Sequence, residues 1–192
     1  MDNFYSIHSK GYIEATAHCD MSFQYHLFEE QLDKNANFIL DLGFGSGRDL
    51  LYFSDKYEVY GIDITEEFCM HAKEQGLKNI YNMRAQDLNF INLFDGIWAC
   101  ASLLHIPSLE LVDVFKRCHR ALKENGILYC SFKYCNFEGI RNERHFTDMT
   151  VERFKPLIDP QQFEIVKDCV TTDVRPERDE KWLNIVLKKI IS

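Results

Sequence analysis

The chain has 192 residues, 46% apolar and 27% charged, with 9 glycines and 4 prolines; this fits one globular domain with a real core and excludes collagen-like or low-complexity chains. A formal charge of −8 repels phosphate backbones, so nucleic acid is not the expected partner. The start has no basic region followed by an apolar run, no stretch approaches the roughly 20 apolar residues a membrane helix needs, and the seven cysteines form no CxxC pair, so reduced thiols in a cytoplasmic protein are expected.

In chain order, residues 1–35 read as an irregular arm followed by a helix over 21–32, placed to serve as a lid. Residues 36–192 read as one domain. Its first part alternates short apolar runs at 38–42, 58–62, 80–83, 96–101 and 127–132 with helical patterns at 48–55, 66–75 and 109–123. Runs apolar almost throughout suit strands buried on both faces of a parallel sheet. The last of those helices is expected to stop at Glu124-Asn125-Gly126. After Lys133 come a polar stretch, a short helix near 150–157, and two β-rich runs at 163–170 and 182–188. About ten residues separate these two, too few for a crossover, so they should form an antiparallel hairpin at the sheet edge. The expected fold class is α/β, Rossmann-like, with seven strands: five parallel plus the C-terminal antiparallel hairpin, helices on both faces.

The motif with the most chemistry is Asp41-Leu42-Gly43-Phe44-Gly45-Ser46-Gly47, a buried strand running into a turn where backbone passes close to a ligand, against the alternative of a tight structural turn without one. A GxGxxG dinucleotide fingerprint beginning at Gly43 needs its third glycine at position 48, which is Arg48, and no GK[ST] follows, so neither a dinucleotide loop nor a P-loop is matched. Asp63 closes the second strand about 20 residues after the loop begins, where a carboxylate accepts ribose hydroxyls. An N-cap role for it competes less well because Thr65 offers a cap of its own. Gln86-Asp87-Leu88 follows the third strand, where a carboxylate and a backbone N–H can meet an adenine edge.

Together these elements resemble class I S-adenosylmethionine-dependent methyltransferases. Segments such as Asp95-Gly96-Ile97-Trp98-Ala99-Cys100-Ala101-Ser102-Leu103-Leu104-His105, Leu128 to Tyr134, Arg144-His145-Phe146 and Trp182 to Ile185 are similar to a small bacterial branch labelled tellurite-resistance-type. The resemblance covers nearly the whole chain, with Phe44 standing where that loop often carries cysteine. It implies S-adenosyl-L-methionine as cofactor, Asp41 orienting the loop and the methionine ammonium, and Gly43 and Gly45 admitting the cofactor. It further implies Asp63 with Ile64 at the ribose, Asp87 with Leu88 at the adenine, and Ser102 beside them. Arg48 reaches either a carboxylate of the ligands or a surface partner.

Methyl transfer from a sulfonium is an in-line displacement, so alignment in a dry pocket supplies most of the acceleration. Tyr12, Phe23, Tyr25 and Trp98 are candidate aromatic faces for the cation, against their alternative as core residues. His105, after the fourth strand, is either a general base for a hydroxyl or thiol acceptor or a hydrogen-bonded turn residue before Pro107. Lys133, Tyr134, Arg144, His145, Arg175 and Arg178 follow strands five and six and suit an anionic small-molecule acceptor; ordinary pairing with Glu138, Glu143, Asp173 and Glu177 is the competing reading. No [DN]PP[YF] follows strand four, Cys100 lacks a preceding proline, and no cluster has metal-ligand spacing, so base-amine methylation, cysteine attack on a pyrimidine and a metal site are not expected. A non-catalytic cofactor-binding regulatory subunit and an RNA-modifying methyltransferase are the alternatives, and either a monomer or a homodimer is compatible with the sequence.

Overall fold

The structure, a computed structural model, describes residues 2–190. Seven strands form one sheet in the order β3-β2-β1-β4-β5-β9-β8, and two more form a separate hairpin, β6-β7. The first five are β1 (Phe38–Leu42), β2 (Glu58–Asp63), β3 (Asn79–Asn82), β4 (Phe94–Ala99) and β5 (Leu122–Lys133), all parallel. The last two, β8 (Phe163–Thr172) and β9 (Lys181–Lys189), pair antiparallel with each other, and β9 runs antiparallel to β5. The expected α/β fold class and terminal hairpin are therefore present.

Helices α3 (Arg48–Ser54), α4 (Glu66–Glu74) and α5 (Ser108–Ala121) connect the parallel strands, and short α6 (Val151–Phe154) precedes the hairpin. Two apolar clusters result, one including Leu40, Ile97, Leu111, Phe115 and Leu128, the other Phe28, Ile39, Phe53, Trp98 and Tyr129. Because the chain builds β1-β2-β3 outward and then returns to place β4 beside β1, a crevice opens beyond the carboxyl ends of β1 and β4, the position where open α/β sheets bind ligands.

Five local expectations are corrected. The irregular arm is a helix, α1 (Asp2–Thr16), whose Tyr5 and Tyr12, seven residues apart, lie on one face; the helix expected over 21–32 is shorter, α2 (Ser22–Glu29). Helix α5 ends at Ala121, before Glu124-Asn125-Gly126, because the backbone N–H groups of Asn92 and Leu93 take the carbonyls of Arg120 and Ala121 at 2.9 Å each and Leu122 already pairs with Phe94. The fourth strand ends at Ala99, since Ala101 adopts φ 51° and donates its N–H to Ser131 Oγ at 2.8 Å. The polar stretch holds the hairpin β6 (Glu138–Arg141) and β7 (Arg144–Thr147), turned by Asn142 and Glu143 at φ 48° and 64°. Such a primed two-residue turn usually advertises itself with glycine, and this one has none.

Among the described residues all seven cysteines are free, three of them buried. No described helix is long and apolar enough to cross a membrane, and no described group of three or more His, Cys, Asp or Glu could hold a metal ion.

Candidate active site

Two cavities open at the crevice. The first, about 270 Å³, is walled by the ends of β1 and β2 and the turns after β3 and β4: Gly43, Gly45, Asp63, Ile64, Ala85 and Ser102 among others. The second, about 160 Å³, lies on the other side, against α2, β5 and the β8–β9 connection. They share Tyr5, Tyr12, Gly43, Ala101 and His105, so these residues stand where the contents of one cavity meet those of the other.

The glycine loop is held from both sides. Gly43 has φ +81°, and a Cβ there would sit 2.5 Å from Ser102 Cβ. Ser102 is itself fixed by donating its hydroxyl to Leu42 O, so the backbone approach requires glycine. A Cβ on Gly45 would lie 3.0 Å from the Tyr12 ring, which rests on the loop. Asp63 Oδ2 accepts the Gly45 N–H at 2.9 Å and Oδ1 accepts the Thr65 N–H at 2.8 Å, so one carboxylate ties the loop to the end of β2. Burial raises the Asp63 carboxyl above its ordinary value, and those two N–H groups pull it back. Thr65 makes no side-chain cap for α4; Asp63 takes its N–H instead, which corrects the expectation of a Thr65 cap.

Asp41, 2% exposed at the end of β1, is raised well above the usual carboxylate range by burial and then by the charge of Asp49. Its Oδ2 has no hydrogen-bond partner. A buried acceptor without a donor, beside a loop that a Cβ would obstruct, fits a ligand bearing an ammonium, and S-adenosylmethionine is such a ligand.

Arg48 is no surface residue. It forks onto Asp49, with Nε at 2.6 Å and Nη2 at 2.9 Å, and Nη1 donates to Thr16 O at 3.2 Å. Asp49, which the sequence reading passed over, also accepts from Tyr25 Oη at 2.5 Å and Trp98 Nε1 at 2.9 Å. Tyr25 and Trp98 therefore support Asp49 from the core, and Phe23 is exposed; of the four aromatic candidates, Tyr12 alone lines the described cavities.

His105 Nδ1 lies 2.8 Å from His145 O. A carbonyl only accepts, so Nδ1 carries the proton and Nε2 presents a lone pair, which Tyr5 Oη meets at 2.7 Å. Arg144 Nη1 in turn donates to Tyr5 Oη at 3.0 Å. Burial, opposed by the hydrogen bond to His145 O and aided by the nearby charges of Arg144 and Lys133, pushes the imidazole down to about 4, so His105 is neutral at physiological pH. Tyr5 was not singled out in the sequence; its only signal is the seven-residue spacing from Tyr12, which a plain core stripe shares.

The remaining candidates divide. Lys133, Arg144, Arg175 and Arg178 all line the second cavity. Lys133 pairs with Glu180 at 2.9 Å, and Arg175 forks onto Asp173 at 2.8 and 2.6 Å. Arg144 has no carboxylate partner among the described residues; it stacks over Phe4 at 4.2 Å, and its buried Nε is unpartnered. Asp87 is set apart from both cavities: its exposed side chain pairs with Arg84 at 2.7 Å, and Leu88 is fully buried in the core, leaving Ala85 and Gln86 at the cavity wall.

Residues 39–126 match the model of a family described as a methyltransferase domain. That segment runs from β1 into β5 and makes up a little under half of the chain. The chain's similarity extends to the phosphoethanolamine N-methyltransferase of Plasmodium falciparum (isolate 3D7), 28% identical over an alignment of 165 positions that covers 77% of this chain and 60% of that protein. The chain thus spans less than two thirds of the length of that relative. Among solved structures, the domain superposes on 1,6-didemethyltoxoflavin-N1-methyltransferase of Burkholderia thailandensis, crystallised with 1,6-didemethyltoxoflavin and S-adenosylhomocysteine. That likeness has a TM-score of 0.73 at 20% identity, covering 97% of this chain and 87% of that one. The [4+2]-cyclase SpnF is similar with a TM-score of 0.77 at 16% identity, covering 100% and 95%. The fold is that of S-adenosylmethionine-dependent methyltransferases, and because a protein named as a cyclase shares it, the activity has to be argued from the site.

Proposed function

We propose that the chain transfers a methyl group from S-adenosyl-L-methionine to a nitrogen of a small anionic acceptor. The observation that carries this reading is the junction of the two cavities at Tyr5, Tyr12, Gly43, Ala101 and His105, with Asp63 on the glycine-loop side and Arg144, a cation without a carboxylate partner among the described residues, on the other. When bound, the cofactor supplies an electrophilic methyl on a sulfonium. Asp63 and the glycine loop would hold its ribose and backbone, with Asp41 available to its ammonium.

On the acceptor side the chain's residues orient and exclude water. Tyr5 donates to His105 and accepts from Arg144, leaving one lone pair on its oxygen to receive an N–H of the acceptor. The cations lining the second cavity outnumber its carboxylates, Asp49 and Asp173, although the whole chain is acidic, and Arg144 is the described cation among them without a carboxylate. An anionic group adjacent to the reacting atom fits that wall. The small second cavity, together with the cover of α1, favours a small molecule over a peptide or an RNA base.

Nitrogen, in place of the oxygen or sulfur expected from sequence, rests on two supports. A histidine held near 4 is a poor base toward an alkyl hydroxyl, whereas a neutral amine attacks without prior proton loss. The named relatives act on nitrogen. Residues 1–35 as a lid, a cytoplasmic location and membership of the tellurite-resistance-type branch belong to the same proposal, resting on the sequence and on the position of α1.

Incubation with methyl-labelled cofactor and paired small amines, each with and without a phosphate or carboxylate, tests the reading. Label should pass to the anionic member of a pair, and Arg144→Gln should raise KM for it about ten-fold. Transfer to none, or equal transfer to charged and uncharged members, would sink the proposal.

A further inference from the structure

Helix α2 buries Gln24 to 6% exposure, and its Oε1 has no hydrogen-bond partner. A buried amide oxygen without a donor is uncommon unless a ligand or water completes it. Gln24 lines the second cavity together with Gly43, Phe44, Ser46, Arg48 and Asp49, which are the glycine loop and the start of α3. Asp41 Oδ2, at the root of the same loop, is another buried acceptor without a donor. Two orphaned acceptors thus flank the loop.

The charges around them ask for a cation. Asp41 feels the charges of both Asp49 and Asp63, offset by that of Arg48. That guanidinium already has Nε and Nη2 committed to Asp49. Arg144, Lys133 and Arg175, from β7, β5 and the β8–β9 connection, are where an anionic acceptor is drawn, so the part of the cavity lined by Gln24, Asp49 and the glycine loop, with Asp41 at the root of that loop, suits a positively charged donor.

We propose that Gln24 is a cofactor-binding residue that receives, together with Asp41, the ammonium at the methionine end of S-adenosylmethionine. The inference rests on the cofactor reading above and adds a residue from outside the glycine loop. It makes α2 a part of the cofactor site, so that the segment after α1 reads the amino-acid end of the ligand while strands β1 and β2 read its nucleoside end.

Calorimetry with two probes tests it: S-adenosylhomocysteine, and 5′-methylthioadenosine, which keeps the nucleoside and sulfur but lacks the amino-acid end. Gln24→Leu should weaken S-adenosylhomocysteine about ten-fold or more, as loss of a hydrogen bond to a charged group does, and leave 5′-methylthioadenosine within about two-fold. Gln24→Glu restores the acceptor and should bind S-adenosylhomocysteine at least as well as the native chain. Equal losses for both probes, no loss in Gln24→Leu, or a Glu variant weaker than the Leu variant would overturn the inference while leaving the cofactor reading intact. A native chain that binds neither probe defeats the cofactor reading itself, and the inference with it.

Discussion

The two cavities are made by different kinds of chain. Apart from Tyr5 and Tyr12, the walls of the cofactor-side cavity come from residues between 42 and 106, at strand ends and the turns after them, with Phe68 of α4. The acceptor-side cavity is assembled from segments as far apart as Tyr5 and Asn184. In the first, the proposed recognition falls to the backbone, with glycines for close approach and Asp63 anchoring two N–H groups. In the second, side chains reach across the fold, as Arg144 does to Tyr5. The cofactor side should therefore break through its backbone and the acceptor side through single polar atoms.

The largest expected effect lies on the seam between them. Asp49 follows the glycine loop in sequence yet faces the acceptor cavity, and it accepts from Arg48, Tyr25 and Trp98. Asp49→Ala leaves a buried guanidinium, a phenol and an indole without their shared acceptor and should cost about 3–5 kcal/mol, read by urea denaturation. A loss under about 1 kcal/mol would mean that the four-donor carboxylate does not hold the two halves together. Next is Gly43→Ala, which meets both a positive φ and the Ser102 contact. S-adenosylhomocysteine affinity should fall about 100-fold or more, since local strain alone is worth about 1–3 kcal/mol and the contact adds to it. Binding within a factor of three would show that the loop is not the cofactor cradle.

This contrast also explains what was legible in the sequence. The five parallel strands, the terminal hairpin and the tight glycine turn after the first strand could be read because each is encoded in a contiguous stretch of characteristic residue types. Asp87 was placed by its position after the third strand, but the neighbouring Arg84 takes its carboxylate, a competition that position alone does not show. Tyr5, Gln24 and Asp49 were missed for the opposite reason. A tyrosine on a helix, a glutamine beside apolar residues and an aspartate after an arginine are ordinary surface or core signals until the fold brings them to one place. The β6-β7 hairpin escaped because its turn lacks glycine.

Intermediate in size is the pH response of His105. Its folded value, pushed down to about 4, lies below the unfolded value near 6.5, so between those two the unfolded chain binds the proton and the folded chain does not. Stability from this group is present above about pH 6.5 and is lost as pH falls toward 4. The native chain should lose about 2–3 kcal/mol more than His105→Gln between pH 7 and pH 4 in chemical denaturation. Parallel curves for the two would mean that His105 is not held neutral by its surroundings, and the argument for a nitrogen acceptor would lose one of its supports.

The smallest effect separates the two tyrosines of α1, which bridge both cavities. Tyr5 and Tyr12 pack alike against Phe68, with ring centroids 6.2 and 5.5 Å away, but differ in polar contacts. Tyr5 Oη bonds His105 and Arg144, whereas Tyr12 Oη has no hydrogen-bond partner among the described residues. Tyr5→Phe removes both bonds and leaves the His105 lone pair and an Arg144 N–H unmet, a cost of about 1–2 kcal/mol; Tyr12→Phe should cost a few tenths at most. Because the other hydrogen bonds that tie α1 to the rest of the fold, Ser6 to Glu67 at 2.8 Å and Arg48 to Thr16 O at 3.2 Å, are untouched by either change, the difference should appear as faster hydrogen exchange across residues 2–16 in Tyr5→Phe alone. Equal exchange in the two variants would assign the docking of α1 to aromatic packing. Faster exchange confined to Tyr5→Phe would make the acceptor side's own hydrogen-bond chain the latch that holds the helix over the cofactor side, and so couple the two cavities that the sequence encodes so differently.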